Sequence, residues 1–182
     1  ARRDGRTAPL VIDLSSLWAG PLCAQLLAGC GARVIKVEST ARPDGARRGP
    51  AWFYDLLNAG KESVALDLRE PADRGRLHAL LAQADIVIES ARPRALEQMG
   101  IHAAQLLAAR PGMVWLGITG YGRRAPMRDW IAYGDDAGVA AGLAWLMGGA
   151  RGDPVFCADA IADPLTGLHA AALALAAWLD GG

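Results

Sequence analysis

The stretch LVIDLSSLWAGPLCAQLLAGCGARVIKVE, residues 10–38, decides the fold. Leu10 to Leu14 is a short apolar run that ends in a polar turn, the pattern of a buried strand. Ser15 to Gly20 is a turn of small residues. Pro21 suits the first position of a helix, where its missing N–H costs no hydrogen bond. Leu22 to Cys30 continues that helix, and Gly31 ends it as a C′ glycine does. Arg33 to Glu38 is a second strand. The whole is one βαβ unit with short connections.

Working outward, Ser39 to Pro50 holds three Arg, two Pro and two Gly and reads as a loop. Ala51 to Asn58 reads as a short helix, and Ser63 to Leu68 alternates as a strand does. Glu70-Pro71 opens a helix to about Ala84. Asp85 to Glu89 is a strand, followed by short helical pieces around Arg94 to Met99 and Ala103 to Ala108. Met113 to Ile118 is a further strand. Ala132 to Met147 reads as a glycine-diluted helix, and Gly148 to Asp153 as a turn. Asp163 to Leu179 carries the clearest helix signal, with Asp163 as N-cap, Pro164 at the first helical position and a long Ala/Leu run behind them. Strands alternating with helices predict an α/β fold: a Rossmann-like, open, mostly parallel sheet of five or six strands, helices on both faces and Leu10 to Leu14 central.

The chain has 182 residues, of which 52% are hydrophobic and 21% charged, enough to bury the core of one domain. Residues 1–9 read as a flexible, Arg-rich start and 10–182 as the domain. The end at Asp180-Gly181-Gly182, directly after a helix, reads as a fragment. Nineteen Lys and Arg balance nineteen Asp and Glu, so no net field draws the chain to nucleic acid or to an anionic membrane. Lys36 and Lys61 are the only lysines; in a chain this rich in alanine and glycine the excess of arginine reads as GC-rich coding. Cys23, Cys30 and Cys157 are odd in number and form no CxxC pair, so neither a disulfide framework nor a zinc site is expected. Cys23 and Cys30, seven apart, read as one buried helix face. A reduced, cytoplasmic setting follows, and no signal peptide is read at the N-terminus.

An open α/β sheet binds ligands beyond the C-terminal ends of its strands. That rim would carry Ser15 to Gly20, Glu38 to Arg48, Glu89 to Arg92 and Thr119 to Arg124. No GxGxxG fingerprint occupies the first turn. Glu38 is read as a solvated strand end, with a ribose-binding acid as the alternative. Arg42, Arg47 and Arg48 serve solubility or clamp a phosphate. Asp163 has two readings. A carboxylate there caps a helix, and the same helix dipole keeps it ionised and able to act as a nucleophile. Asp159 reads as a loop charge and Asp135-Asp136 as a solvated helix start. His78, His102 and His169 fall in helical segments without ligand-like spacing, with His169 packed on its own helix.

Five segments in order carry a resemblance: residues 11–38, LLNAGKESVALDL (56–68), ADIVIESARPRALEQMG (84–100), LGITGYGRRAP (116–126) and ADPLTGLHAAALALAAWL (162–179). Together they resemble the N-terminal half of family III CoA-transferases, the group that contains formyl-CoA transferase, carnitine CoA-transferase and α-methylacyl-CoA racemase. The resemblance implies a Rossmann-like large domain. It also implies a smaller second domain and a returning C-terminal segment outside these residues, and two interlocked chains, either a homodimer or a partner that supplies the other half. Acyl-CoA and a carboxylic acid are the implied substrates, coenzyme A the carried group, and no metal takes part.

The family's nucleophile opens a D-x-x-[TA]-G motif, which here is Asp163-Pro164-Leu165-Thr166-Gly167. The resemblance thus assigns Asp163 the catalytic role, through an aspartyl-CoA thioester. It further implies CoA contacts at Leu17, Trp18 and Ala19, at Leu66, Asp67, Leu68 and Arg69, and at Ser90, Ala91 and Arg92. Ser90 and Ala91 stand where the family carries Asn and an aromatic. Ser39 and Gln98 stand where it carries Arg, with Arg42 or Arg94 as substitutes. Tyr133 occupies the position of the racemase branch's histidine, the transferase-like choice. A racemase-like isomerase and a non-catalytic or partner-dependent CoA-binding half domain are the alternatives.

Overall fold

The computed structural model describes residues 7–149 and 152–182. Residues 1–6 of the expected flexible start, and Ala150 and Arg151 of the expected turn, lie outside the described residues. Five strands form one sheet in the order β3-β2-β1-β4-β5: β1 (Leu10–Asp13), β2 (Arg33–Ser39), β3 (Glu62–Leu66), β4 (Ile86–Glu89) and β5 (Val114–Gly117). Every pairing is parallel, and β1 is central as expected. Because all strands point the same way, every strand's C-terminal end lies on one rim.

Burial on both faces follows from the alternation inside β1. Val11 faces a cluster with Cys23, Ala24 and Leu27 of α1 (Ala19–Gly29) and Ala170, Ala171 and Ala174 of α8 (Ala162–Asp180). Ile12 faces the opposite cluster with Leu77 and Leu81 of α3 (Pro71–Leu81), Leu96 of α4 (Pro93–Gln98) and Ile101. Strands buried on both sides read as continuous apolar runs, which is why Ile86-Val87-Ile88 in β4 shows no alternation with polar residues. The α1–α8 contact is close because α8 presents small residues. A Cβ on Gly167 would lie 2.8 Å from the Ala19 carbonyl oxygen, so only glycine admits this approach.

Three expectations change in detail. The first helix starts at Ala19, two residues before Pro21, which still falls within the first turn where its N–H has no partner to lose. Cys30 follows that helix and is exposed, whereas Cys23 is buried and its thiol is pushed up to about 12, first by burial and then by Asp13. The expected helix over Ala132 to Met147 is two: α6 (Gly134–Ala140) and α7 (Leu143–Gly148), broken at Gly142, whose φ of +86° only glycine adopts freely. The remaining helices, α2 (Ala51–Asn58) and α5 (Ala103–Ala109), sit where the sequence places them.

The loops of the rim are tied down from beneath by charge. The Lys61 ammonium donates to Asp13 Oδ2 at 3.0 Å, to the Pro21 carbonyl at 2.9 Å and to Asn58 Oδ1 at 3.1 Å. The Lys36 ammonium lies 2.9 Å from Asp44 Oδ2 and donates to the Ser15 carbonyl at 3.1 Å. All four side chains of these two pairs are at most 1% exposed. Desolvation of this degree is offset only while both partners remain. We therefore expect Lys61→Met to destabilise the fold by about 3–5 kcal/mol, because it strands the Asp13 carboxylate. The double change Lys61→Met with Asp13→Asn should cost less than Lys61→Met alone. Urea denaturation of the three proteins measures both differences.

Candidate active site

The rim brings loops from four strand ends together. Leu17 follows β1 with a φ of +70°. A left-handed leucine is strained by about 1–2 kcal/mol, and Asp44 holds it there by accepting its N–H at 2.9 Å. The same Asp44 oxygen accepts the Ala46 N–H at 2.9 Å, so one carboxylate from the loop after β2 fixes the turn after β1. Trp18 packs edge-on against Phe53 of α2 with centroids 5.2 Å apart. Ser90, after β4, accepts the Ser16 N–H on its hydroxyl at 3.2 Å.

Glu38 is neither a solvated strand end nor free to bind a ribose. Its carboxylate accepts from Arg47, from the Asp44 N–H at 2.8 Å and from the Tyr54 hydroxyl at 3.0 Å. The Arg47 guanidinium, ahead of these other bonds, holds that carboxyl down to about 2. Arg47 also lies 4.2 Å over the Tyr54 ring, so it is committed to the protein. Arg42 and Arg48 remain exposed on the same loop.

Leu66 is buried in the core, whereas Asp67 and Arg69 pair with each other at 2.6 Å, which holds the Asp67 carboxyl down to about 2. Leu68 and Ala91 are half-buried against the same core. Arg92 is exposed and flanks the start of α4. Glu89, fully buried at the end of β4, accepts from Arg123 and from the Ala91 N–H at 2.9 Å. Burial pushes its carboxyl above the ordinary range, against those two bonds.

Asp163 lies in the first turn of α8, but it is not the cap. Ile161 holds the cap position and makes no side-chain bond, and Asp163 is the second helical residue. Its half-buried carboxylate reaches away from its own helix to two others. Oδ1 accepts the N–H of Ala19, the first residue of α1, at 3.4 Å. The N–H of Gly134, the first residue of α6, bonds to the carboxylate as well. Three helix N-termini thus meet at one carboxylate. Burial pushes the Asp163 carboxyl above its usual value, these two N–H groups pull it back, and the charges of Asp135 and Asp136 push it further up. Gly134 is required for the approach: a Cβ there would fall 2.3 Å from both Asp163 Oδ2 and the Ala160 carbonyl oxygen.

Sequence reading misses three contributors here. Gly134 carries no local signal. Asp135 is half-buried rather than solvated, and its Oδ1 accepts the Ala160 N–H at 2.7 Å. Asp44 looks like an ordinary loop acid. Tyr133, which precedes α6, is exposed, and its N–H donates to Asp136 at 2.6 Å. Asp159 is exposed, as expected. His169 bonds the Leu165 carbonyl of its own helix at 2.7 Å. An open groove of about 360 Å³ runs between the end of β5 and α8, lined by Ile118, Thr119, Thr166 and His169. Among the described residues no group of three or more His, Cys, Asp or Glu side chains is placed to hold a metal ion, and no helix is long and apolar enough to cross a membrane.

A family model described as CoA-transferase family III matches residues 9–181. The succinyl-CoA–D-citramalate CoA-transferase of Chloroflexus aurantiacus is 33% identical over 174 residues, covering 92% of this chain and 43% of that protein. The succinyl-CoA–L-malate CoA-transferase beta subunit of the same organism is 35% identical, covering 91% and 44%. A crystal structure of a CAIB/BAIF family protein from Brucella suis superposes with a TM-score of 0.83 at 31% identity, over 94% of this chain and 48% of that one. The chain therefore spans less than half the length of these relatives.

The electrostatics of Asp163 give a signed expectation. A carboxyl raised in the folded state binds its proton more tightly there than when unfolded, so its ionisation above that value costs stability, and the cost is absent at low pH. Asp163→Asn removes the charge. The stability of Asp163→Asn relative to the unchanged protein should therefore rise between pH 3 and pH 7, which denaturation curves at the two pH values would show. A difference that falls or stays level would contradict the burial argument.

Proposed function

The chain belongs to CoA-transferase family III, and from that premise we propose that Asp163 is the nucleophile of a CoA transfer between an acyl-CoA donor and a carboxylic acid acceptor. The observation that carries the reading is a half-buried carboxylate on the rim of the sheet, with its pKa raised and two helix-start N–H groups turned toward it. Burial keeps water away from the nucleophile and makes it a better electron-pair donor than a solvated acid. When the aspartyl carbonyl is attacked in turn, these N–H groups would hold the negative charge that develops on its oxygen.

The chemistry balances in four displacements. An Asp163 oxygen attacks the thioester carbonyl; the C–O bond forms, the C–S bond breaks, and a mixed anhydride and CoA thiolate result. The thiolate attacks the aspartyl carbonyl, releasing the donor as a carboxylate and leaving aspartyl-CoA. The acceptor carboxylate attacks that thioester, its C–S bond breaks, and a second mixed anhydride and CoA thiolate form. The thiolate then attacks the acceptor's acyl carbon, the anhydride C–O bond breaks, and the new acyl-CoA departs, leaving Asp163 as a carboxylate again. Four easier displacements replace one hard exchange.

In this reading CoA runs along the rim past Leu17, Trp18 and Ala19, with Arg42 and Arg92 free to meet its phosphates. Ser90, Asp67, Arg69 and Tyr133 border the same path. Residues 10–182 act as the large domain, and a second copy or a partner chain completes the site. What supports this is the length of the relatives and the naming of one of them as a beta subunit. Coenzyme A enters as substrate.

Incubation of the assembled protein with acyl-CoA followed by hydroxylamine should convert Asp163, and no other acid, to a hydroxamate detectable by peptide mass spectrometry, whereas these 182 residues alone should transfer little or nothing. Asp163→Asn should lower transfer by at least about three orders of magnitude, as loss of an activated nucleophile does. Undiminished transfer by Asp163→Asn, or turnover without an Asp163 adduct, would overturn the assignment.

A further inference from the structure

The turn that delivers Asp163 is strained. Ala158 and Ala160 have φ values of +51° and +48°, a region that alanine rarely enters, and both precede α8 by only a few residues. Such a backbone persists only where its surroundings over-determine it. At Ala160 those surroundings can be named. Its N–H donates to Asp135 Oδ1 at 2.7 Å, and its carbonyl accepts the Asp163 N–H at 2.8 Å. Gly134, the residue before Asp135, donates its own N–H to the Asp163 carboxylate. Two adjacent residues of α6 thus grip Asp163 from both sides, one through Ala160 and one directly.

We infer that Asp135 is a positioning residue: its carboxylate holds the left-handed Ala160 turn and so sets the Asp163 carboxylate against the starts of α1 and α6. The inference rests on the reading of Asp163 as the reacting group, and it adds a residue that touches none of the reacting atoms. A second effect accompanies the geometry. No acidic side chain lies in the first turn of α1, and Asp163 is the only acid in that of α8. On α6, Asp135 and Asp136 act on Asp163, and both push its carboxyl up. Asp136 is occupied elsewhere, by the Tyr133 N–H and the Tyr121 hydroxyl. Asp135 alone combines the charge with the backbone grip.

The two contributions separate by substitution. Asp135→Asn keeps an oxygen for the Ala160 N–H and removes the charge. Asp135→Ala removes both. Ala160→Gly lets the turn adopt its conformation without help. Two readouts serve, both on protein without acyl-CoA: hydrogen exchange at the Ala160 and Asp163 amides, and the pH profile of carbodiimide-driven amine coupling to Asp163. We expect Asp135→Ala to speed exchange at these two amides by about tenfold. Asp135→Asn should leave exchange within about threefold of native while moving the midpoint of Asp163 coupling to lower pH. Adding Ala160→Gly to Asp135→Ala should restore the coupling profile's amplitude at Asp163.

Native-like exchange at Ala160 in Asp135→Ala would overturn the inference. So would acceleration spread evenly through α6 and α8, or an unmoved midpoint in Asp135→Asn. Because neither readout uses turnover, a failed hydroxamate trap would sink the nucleophile assignment and leave these outcomes legible, and the converse holds.

Discussion

Two buried ammonium groups hold the rim together. Lys36 and Lys61 are the only lysines of the chain, and both side chains are about 1% exposed. Each sits beneath a loop at the C-terminal end of the central strands, and each is a compact charge with three donors on a flexible stem. Lys61 uses those donors on Asp13, the Pro21 carbonyl and Asn58, joining β1, α1 and α2. Lys36 reaches Asp44 and the Ser15 carbonyl, and Asp44 in turn fixes Leu17 and Ala46. Removal of one charge would leave its partner buried and unsatisfied, so the start of α1 depends on pairs that lie well beneath it. The start of α1 supplies the Ala19 N–H to Asp163. The geometry of the Asp163 carboxylate is therefore inherited from electrostatics at the end of β1.

That chain of dependence explains what can and cannot be read from the residues. The parallel sheet with a central β1 is legible because apolar runs and helix stops are local: Val34 to Val37 and Ile86 to Ile88 announce strands whatever surrounds them. The starts of α1 and α8 are not local. Trp18 and Ile161 cap them without a side-chain bond, and what stands at each start is a contact across the chain, Ala19 to Asp163 in one case and Asp135 to Ala160 in the other. Propensity rules place the cap on the nearest Asp or Pro, and so shift α1 late by two residues and α8 late by two. Glu38 defeats a local reading for the same reason. Its acid at a strand end looks solvated until Arg47 and Tyr54, nine and sixteen residues on, fold back over it.

The candidate site combines a legible residue with an illegible setting. Asp163 stands out in its D-x-x-T-G motif, yet the raised pKa comes from burial and from two acids on α6 that read as surface charges. The pattern accords with functional carboxylates in general, whose ionisation is kept costly by the fold that presents them. Here the cost is contained by backbone donors rather than by a counter-cation. Arginine is abundant on the rim, but Arg47, Arg69 and Arg123 are engaged with Glu38, Asp67 and Glu89. A carboxylate stabilised by N–H dipoles keeps its electron pair more available than one neutralised by a guanidinium.

The burial of both lysines has a practical side. Every exposed Lys or Arg side chain among the described residues is an arginine, whose guanidinium does not acylate under mild conditions. Amine-directed reagents, whether a fluorescent ester, a cross-linker or an immobilising resin, find no exposed ε-amino group on these folded residues. Modification of Lys36 or Lys61 then becomes a signal that the rim has opened, and it needs no engineered probe to read it.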